Sequence, residues 1–172
     1  MQKRTLFIAR LATILALTFV IQMAGLPQPI TGPLINAMLF ITAILLGNFA
    51  GVVLGCLTPV LAIIHGQLPT PLAPMIPFIA LGNVTLVLIY NNLAREKSQI
   101  SFSIKEFVAI LLAAFAKFLF IYLSIKIILP FLLNVTIPEK ISMLMATPQL
   151  LTALAGGILA LIFTKILTKA ES

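Results

Sequence analysis

The chain has 172 residues, of which 61% are hydrophobic and only 9% charged, and its mean hydropathy is +1.19. That composition lies far outside the soluble range and leaves no room for a nucleotide-binding domain, because a spanning helix takes about 20 apolar residues and helices with short connections would use nearly the whole length. The net charge of +7 does not point to a nucleic-acid partner, since the eleven basic residues are spread between helix ends rather than interleaved with aromatics on one surface.

Residues 6–24 are predicted to form a first helix, preceded by Lys3 and Arg4. The start is similar to the charged region of a signal peptide, but no small-residue cleavage site follows, so the segment reads as a retained helix. Gly25 ends it, and Leu26-Pro27-Gln28-Pro29-Ile30-Thr31-Gly32 is expected to be a loop because its prolines oppose a continued helix. Two short helices follow over 33–46 and 49–64, separated by a tight break at Gly47-Asn48. A second proline-rich loop runs from His65 to Pro74. Helix four covers 75–92, with Pro77 in its first turn, where a missing N–H does no harm.

Beyond the hydrophilic connection Arg95-Glu96-Lys97-Ser98-Gln99, a fifth helix over 104–129 is long enough to tilt, and Pro130 is expected to stop it. Pro138, Glu139 and Lys140 predict a surface loop with a short helical turn between 131 and 146. A sixth helix over 148–167 carries Gly156-Gly157, where a neighbouring backbone could approach closely.

Charge sets the expected orientation. In a six-span arrangement Lys3, Arg4, Arg10, Arg95, Lys97, Lys105, Lys165 and Lys169 fall on one side, whereas Lys140 is the clear basic residue of the other. The positive-inside rule then places both termini in the cytoplasm and the proline-rich loops outside. Merging helices two and three into one span would put the basic connection after helix four opposite the amino terminus, so six spans are preferred to five. The fold class expected is an all-α membrane protein forming one six-helix domain. No internal repeat is evident, which weighs against transporters built from inverted repeats.

Few side chains here suit catalysis. The four acidic residues, Glu96, Glu106, Glu139 and Glu171, lie in connections, at helix ends or in the tail, and there is no Asp. Paired carboxylates for acid/base work are therefore not expected to converge. The lone His65 and lone Cys56 do not make a familiar zinc set, so neither a metal nor a cofactor is expected, and the apolar neighbourhood of Cys56 points to a buried, inert thiol. No Gly-rich phosphate loop is present. Spans without carboxylates also argue against a proton-driven pump.

Binding is the better-supported chemistry. Lys117 stands near the middle of helix five, where a charge is expensive unless paired, hydrated or snorkelling. It reads either as a cation for an anionic group of a ligand or as a lysine facing water or carbonyls. Lys126, nearer the outer end, reads as a snorkelling residue. Asn83 in Leu81-Gly82-Asn83 must satisfy a buried amide through a ligand or a neighbouring helix, and Asn36, Thr58 and Gln149 are similar, weaker candidates. His65 opens the second outer loop and could face a substrate or be an ordinary interfacial residue. There is no Trp, so any stacking cage would rest on Phe. Ala9, Ala12 and Ala16 form a small-residue stripe on helix one that admits a close helical neighbour, inside the protein or outside it.

Taken together, the basic start, Ala12-x-x-x-Ala16, the short helices around Gly47-Asn48 and the segment Pro77-Phe78-Ile79-Ala80-Leu81-Gly82-Asn83 resemble the substrate-binding S component of energy-coupling factor (ECF) transporters over essentially the full length. The resemblance implies a non-enzymatic subunit that captures a scarce micronutrient outside the cell and joins a transmembrane coupling protein and two cytoplasmic ATPases. It also implies that Ala12 and Ala16 contact the coupling subunit. The implied pocket lies on the outer side, with Gln28, Thr31, His65, Gln67, Asn83, Lys117 and Gln149 as candidates, and the implied movement is closure of the outer loops followed by toppling of the subunit in the membrane. A stand-alone transporter or channel is the principal alternative, a membrane assembly factor the next.

Overall fold

The computed structural model describes residues 2–67, 70–94, 103–133 and 139–170. Leu68-Pro69, the hydrophilic connection with Arg95 and Lys97, Pro138 and Glu171 lie outside the described residues. The described residues form helices and turns, with no strand among them. In order these are α1 (Gln2–Met23), α2 (Gln28–Leu46), α3 (Asn48–Ile64), a 3-10 turn (Thr70–Met75), α4 (Ile76–Leu93), α5 (Ile104–Leu123), a π-helical turn (Ser124–Ile128), α6 (Leu129–Leu133) and α7 (Glu139–Ala170).

Five stretches are long and apolar enough to cross a membrane: Gln2–Met23, Gln28–Leu46, Ala73–Leu93, Ile104–Leu132 and Met145–Leu167. The equally apolar α3 has 17 residues, a rise of about 25 Å against a hydrocarbon core of about 30 Å.

Three boundaries differ from the sequence expectation, each at a proline. The expected loop before Pro33 is mostly the first turns of α2, which begins at Gln28 with Pro29 in its first turn, a position where the missing N–H breaks no helical bond. Pro130 does not stop the fifth helix. The preceding π turn, in which the Leu129 N–H bonds to Ser124 O, widens the helix by one residue and lets it continue as α6. The surface loop expected before Pro148 is likewise helical from Glu139 onward, so Pro148 sits inside α7 rather than at its start. Interior prolines are tolerated in membrane helices because neighbours re-satisfy the freed backbone.

The helices pack around α2, which touches α1, α3, α4 and α7, while α5 joins α4 to α7. Gly47 makes the α2–α3 turn with φ +86°, a conformation that glycine adopts without strain. Gly156 brings α7 against the α2 backbone: a Cβ there would stand 2.6 Å from Asn36 Cβ and 2.7 Å from both Ala37 N and Pro33 O. The core between them is apolar, with Leu39, Phe40, Ala43, Leu54, Leu86, Ala113, Ala153 and Leu161 buried.

Polar contacts fix the alternating directions of the helices. At the end carrying both termini, Ser103 and Glu106 form a capping box at the start of α5, Glu106 Oε2 meets Lys165 Nζ of α7 at 3.1 Å, and Asn91 Nδ2 of α4 donates to Asn48 Oδ1 at 2.6 Å. At the other end Lys126 is ion-paired with Glu139 rather than snorkelling alone, and Tyr122 Oη donates to Glu139 Oε1 at 2.8 Å. Cys56 is exposed on α3, not buried as expected, because its side chain falls on the face away from α2 and α4.

Candidate functional site

The end of the bundle opposite the termini holds a cavity of about 90 Å3. Its floor is built on Lys117, only 2% exposed, whose Nζ donates to Asn36 Oδ1 at 2.7 Å. Asn36 in turn donates Nδ2 to Gly32 O at 2.9 Å and to Thr152 Oγ1 at 3.3 Å, tying α5, α2 and α7 together at one point. These donations orient the amide so that its oxygen meets the lysine. No carboxylate pairs with Lys117 among the described residues, and Asn36 Oδ1 is its one hydrogen-bond partner there.

A second set of bonds joins α1, α3 and α4. Asn83 Nδ2 donates to Gly55 O and Thr58 Oγ1, both at 3.1 Å, and Gly55 lets the asparagine approach, since a Cβ there would stand 3.1 Å from Asn83 Cβ. From the last turn of α1, Gln22 Nε2 donates to Thr58 O at 2.8 Å, and Gln67 Nε2 donates to Gln22 O at 2.7 Å. Gln22 is 2% exposed, and its Oε1 has no hydrogen-bond partner.

The cavity thus gathers Gln28, Thr31, Gln67, Asn83, Lys117 and Gln149, six of the seven candidates implied by the resemblance. Asn36 and Thr58, the weaker candidates, line it as well. His65 does not. Its Nδ1 lies 2.9 Å from Leu61 O and its ring packs edge-on against Phe19, so it closes the end of α3 instead. Gln22 was missed, although an amide in an otherwise apolar stretch, four residues beyond Thr18, is the kind of polar residue that marks an inward face. The remaining lining residues, Gly32, Ile35, Pro59, Ala62 and Ile79, are small or aliphatic, and among the described residues the lining includes neither an aromatic ring nor a carboxylate.

A larger groove of about 740 Å3 runs along α2 and α7, from Pro29 and Pro33 to Met143, Pro148, Leu151 and Ala155, with Gln28 and Thr152 at its border with the polar cavity. Its walls are mainly apolar. Polar groups converge in the smaller cavity.

On the opposite face of α1 the geometry is sparse. Only Ile14, Thr18 and Gln22 are buried, and Ala9, Ala12 and Ala16 are exposed.

A family model described as the ECF transporter, substrate-specific component, matches residues 6–168. The chain belongs to this family. No curated protein matches it, and no solved structure does. The protein is therefore an S component, a substrate-binding subunit of the multi-pass membrane class, and the helices described above are the scaffold of such a subunit.

Proposed function

We propose that this S component captures a vitamin or related micronutrient at the outer face of a prokaryotic plasma membrane and delivers it inward with the help of a transmembrane coupling subunit and two cytoplasmic ATPases. In this reading the chain spans the membrane six times, α3 included, with both termini in the cytoplasm. The polar cavity holds the cargo. Ala12 and Ala16 meet the coupling subunit, and the outer loops close before the subunit reorients.

One observation carries the reading: six of the seven pocket candidates that the family resemblance implies line one cavity at the end opposite the basic termini. An exposed small-residue stripe on α1 supports the second half, because it leaves close-packing surface uncovered within the subunit itself. Reconstitution in liposomes provides the test. Uptake should require the coupling subunit, the ATPases and ATP together; uptake by the S component alone would establish the stand-alone transporter instead.

A further inference from the structure

We infer that the cavity selects a small molecule whose buried head group carries a single carboxylate and, close to it, a hydroxyl or amide N–H donor, without a planar ring at that end. The inference rests on reading the cavity as the cargo site and adds the chemistry of the cargo.

The anionic group follows from Lys117. A lysine 2% exposed, bonded to one neutral amide oxygen at 2.7 Å, has donors left over and no counter-charge among the described residues. Burying an ammonium in this way is expensive, and an anion in the cavity offsets that cost with a charge-assisted hydrogen bond. Lys117 is the one cation among the described lining residues, which matches a monoanion, because a dianion would leave a net charge buried.

The donor follows from Gln22. Its Nε2 is committed to Thr58 O, which fixes the side chain and leaves Oε1 of this lining residue buried as an acceptor without a partner. A ligand O–H or N–H supplies what that oxygen lacks, and a ligand without one leaves it desolvated. The exclusion of a ring follows from size and lining. About 90 Å3 is smaller than the roughly 150 Å3 cavity that accommodates benzene, and aliphatic side chains offer no stacking surface. The rest of the ligand extends toward exposed Gln28.

The test uses the full chain in nanodiscs, incubated with a small-molecule extract of cells, washed, and analysed by mass spectrometry for retained molecules. Ala62→Phe and Ile79→Trp, which fill the cavity from two different helices, are run in parallel after thermal melts confirm that they fold. The expected result is retention of a molecule with one carboxylate and a nearby hydroxyl or amide N–H, lost in the filled variants. A retained cation, dianion or ring-buried compound that the filled variants lose would overturn the ligand class while leaving the cargo site standing. Retention that survives both fillings, or no retention at all, would overturn the cargo-site reading and this inference with it. For the retained acid, Lys117→Met should weaken binding by about tenfold or more, and Lys117→Arg by less. The methyl ester of the same acid should bind wild type and Lys117→Met alike. Undiminished acid binding by Lys117→Met would also overturn the class.

Discussion

Helices α1 and α2 are neighbours of similar length, yet only 17% of the apolar span of α1 is buried inside the protein, against 50% for α2. α2 carries a nearly continuous buried run from Asn36 to Ala43, whereas α1 is attached along the single line Ile14, Thr18, Gln22. The hydropathy of their apolar stretches does not distinguish them. What distinguishes them is small residues and amides: α2 receives a glycine contact from α7 and an asparagine-centred network, and α1 has the two amide bonds of Gln22 and Gln67 at its last turn. In lipid, where apolar surface alone gives helices little reason to associate, such packing and polar contacts decide which helix is core and which is free.

This contrast can be broken from the α2 side first. Gly156→Leu should be the most damaging change, because the added side chain meets α2 backbone that cannot move away; a loss of about 3 kcal/mol or more, or failure to fold, is expected in thermal melts of the purified protein. A well-folded Gly156→Leu protein would mean that α7 does not sit against α2 so closely. Asn36→Leu comes next. It leaves the Lys117 ammonium without its oxygen partner and should lower stability by about 1–3 kcal/mol, measurable by denaturation in the same detergent.

A smaller effect is expected at the first turn of α7. The Lys126 ammonium, together with the Tyr122 hydroxyl, holds the Glu139 carboxyl below its usual range. A depressed carboxylate pKa contributes stability above the unfolded value, and that contribution disappears as pH falls through the lower, folded value. Wild type should therefore lose a little melting temperature below the ordinary carboxylate range, and Glu139→Gln should flatten that part of the profile.

The least effect is expected on α1. Ala12→Leu with Ala16→Leu should change the stability of the isolated subunit by no more than about 0.5 kcal/mol, since both positions are exposed. In the assembled transporter the same pair should abolish uptake while ligand affinity stays nearly unchanged. Equal loss of binding would contradict the division between a docking face and a cargo cavity.

The helical order was legible because long apolar runs leave few alternatives in lipid, and Gly47 was legible as a break because a positive φ favours glycine. Proline was misleading. Pro29, Pro130 and Pro148 were read as stops or starts by the rules of soluble helices, but each lies within helical structure here. Lys117, Asn83, Asn36, Thr58 and Gln149 stand out because polar side chains at membrane depth are few, whereas Gln28, Thr31 and Gln67 rest on the family resemblance alone. The bonds could not be named in advance: nothing in the sequence says that Lys117 meets Asn36 rather than Asn83, or that Gln22 leaves an oxygen unused, since these depend on helix rotation and crossing.

The π turn at Ser124–Ile128 has a consequence for every side chain beyond it. One extra residue in a helix rotates all later positions by about 100°. Burial on this helix passes from Lys117 to Ile121 and Ile125, then falls on Leu129, while Ile128 is 38% exposed. The segment therefore behaves as a one-residue insertion absorbed without a loop. Deleting Ile127 would restore an uninterrupted helix and leave Leu129 in its place against Met75 and Ala146, whereas straightening the π turn without a deletion would carry Ile128 there instead.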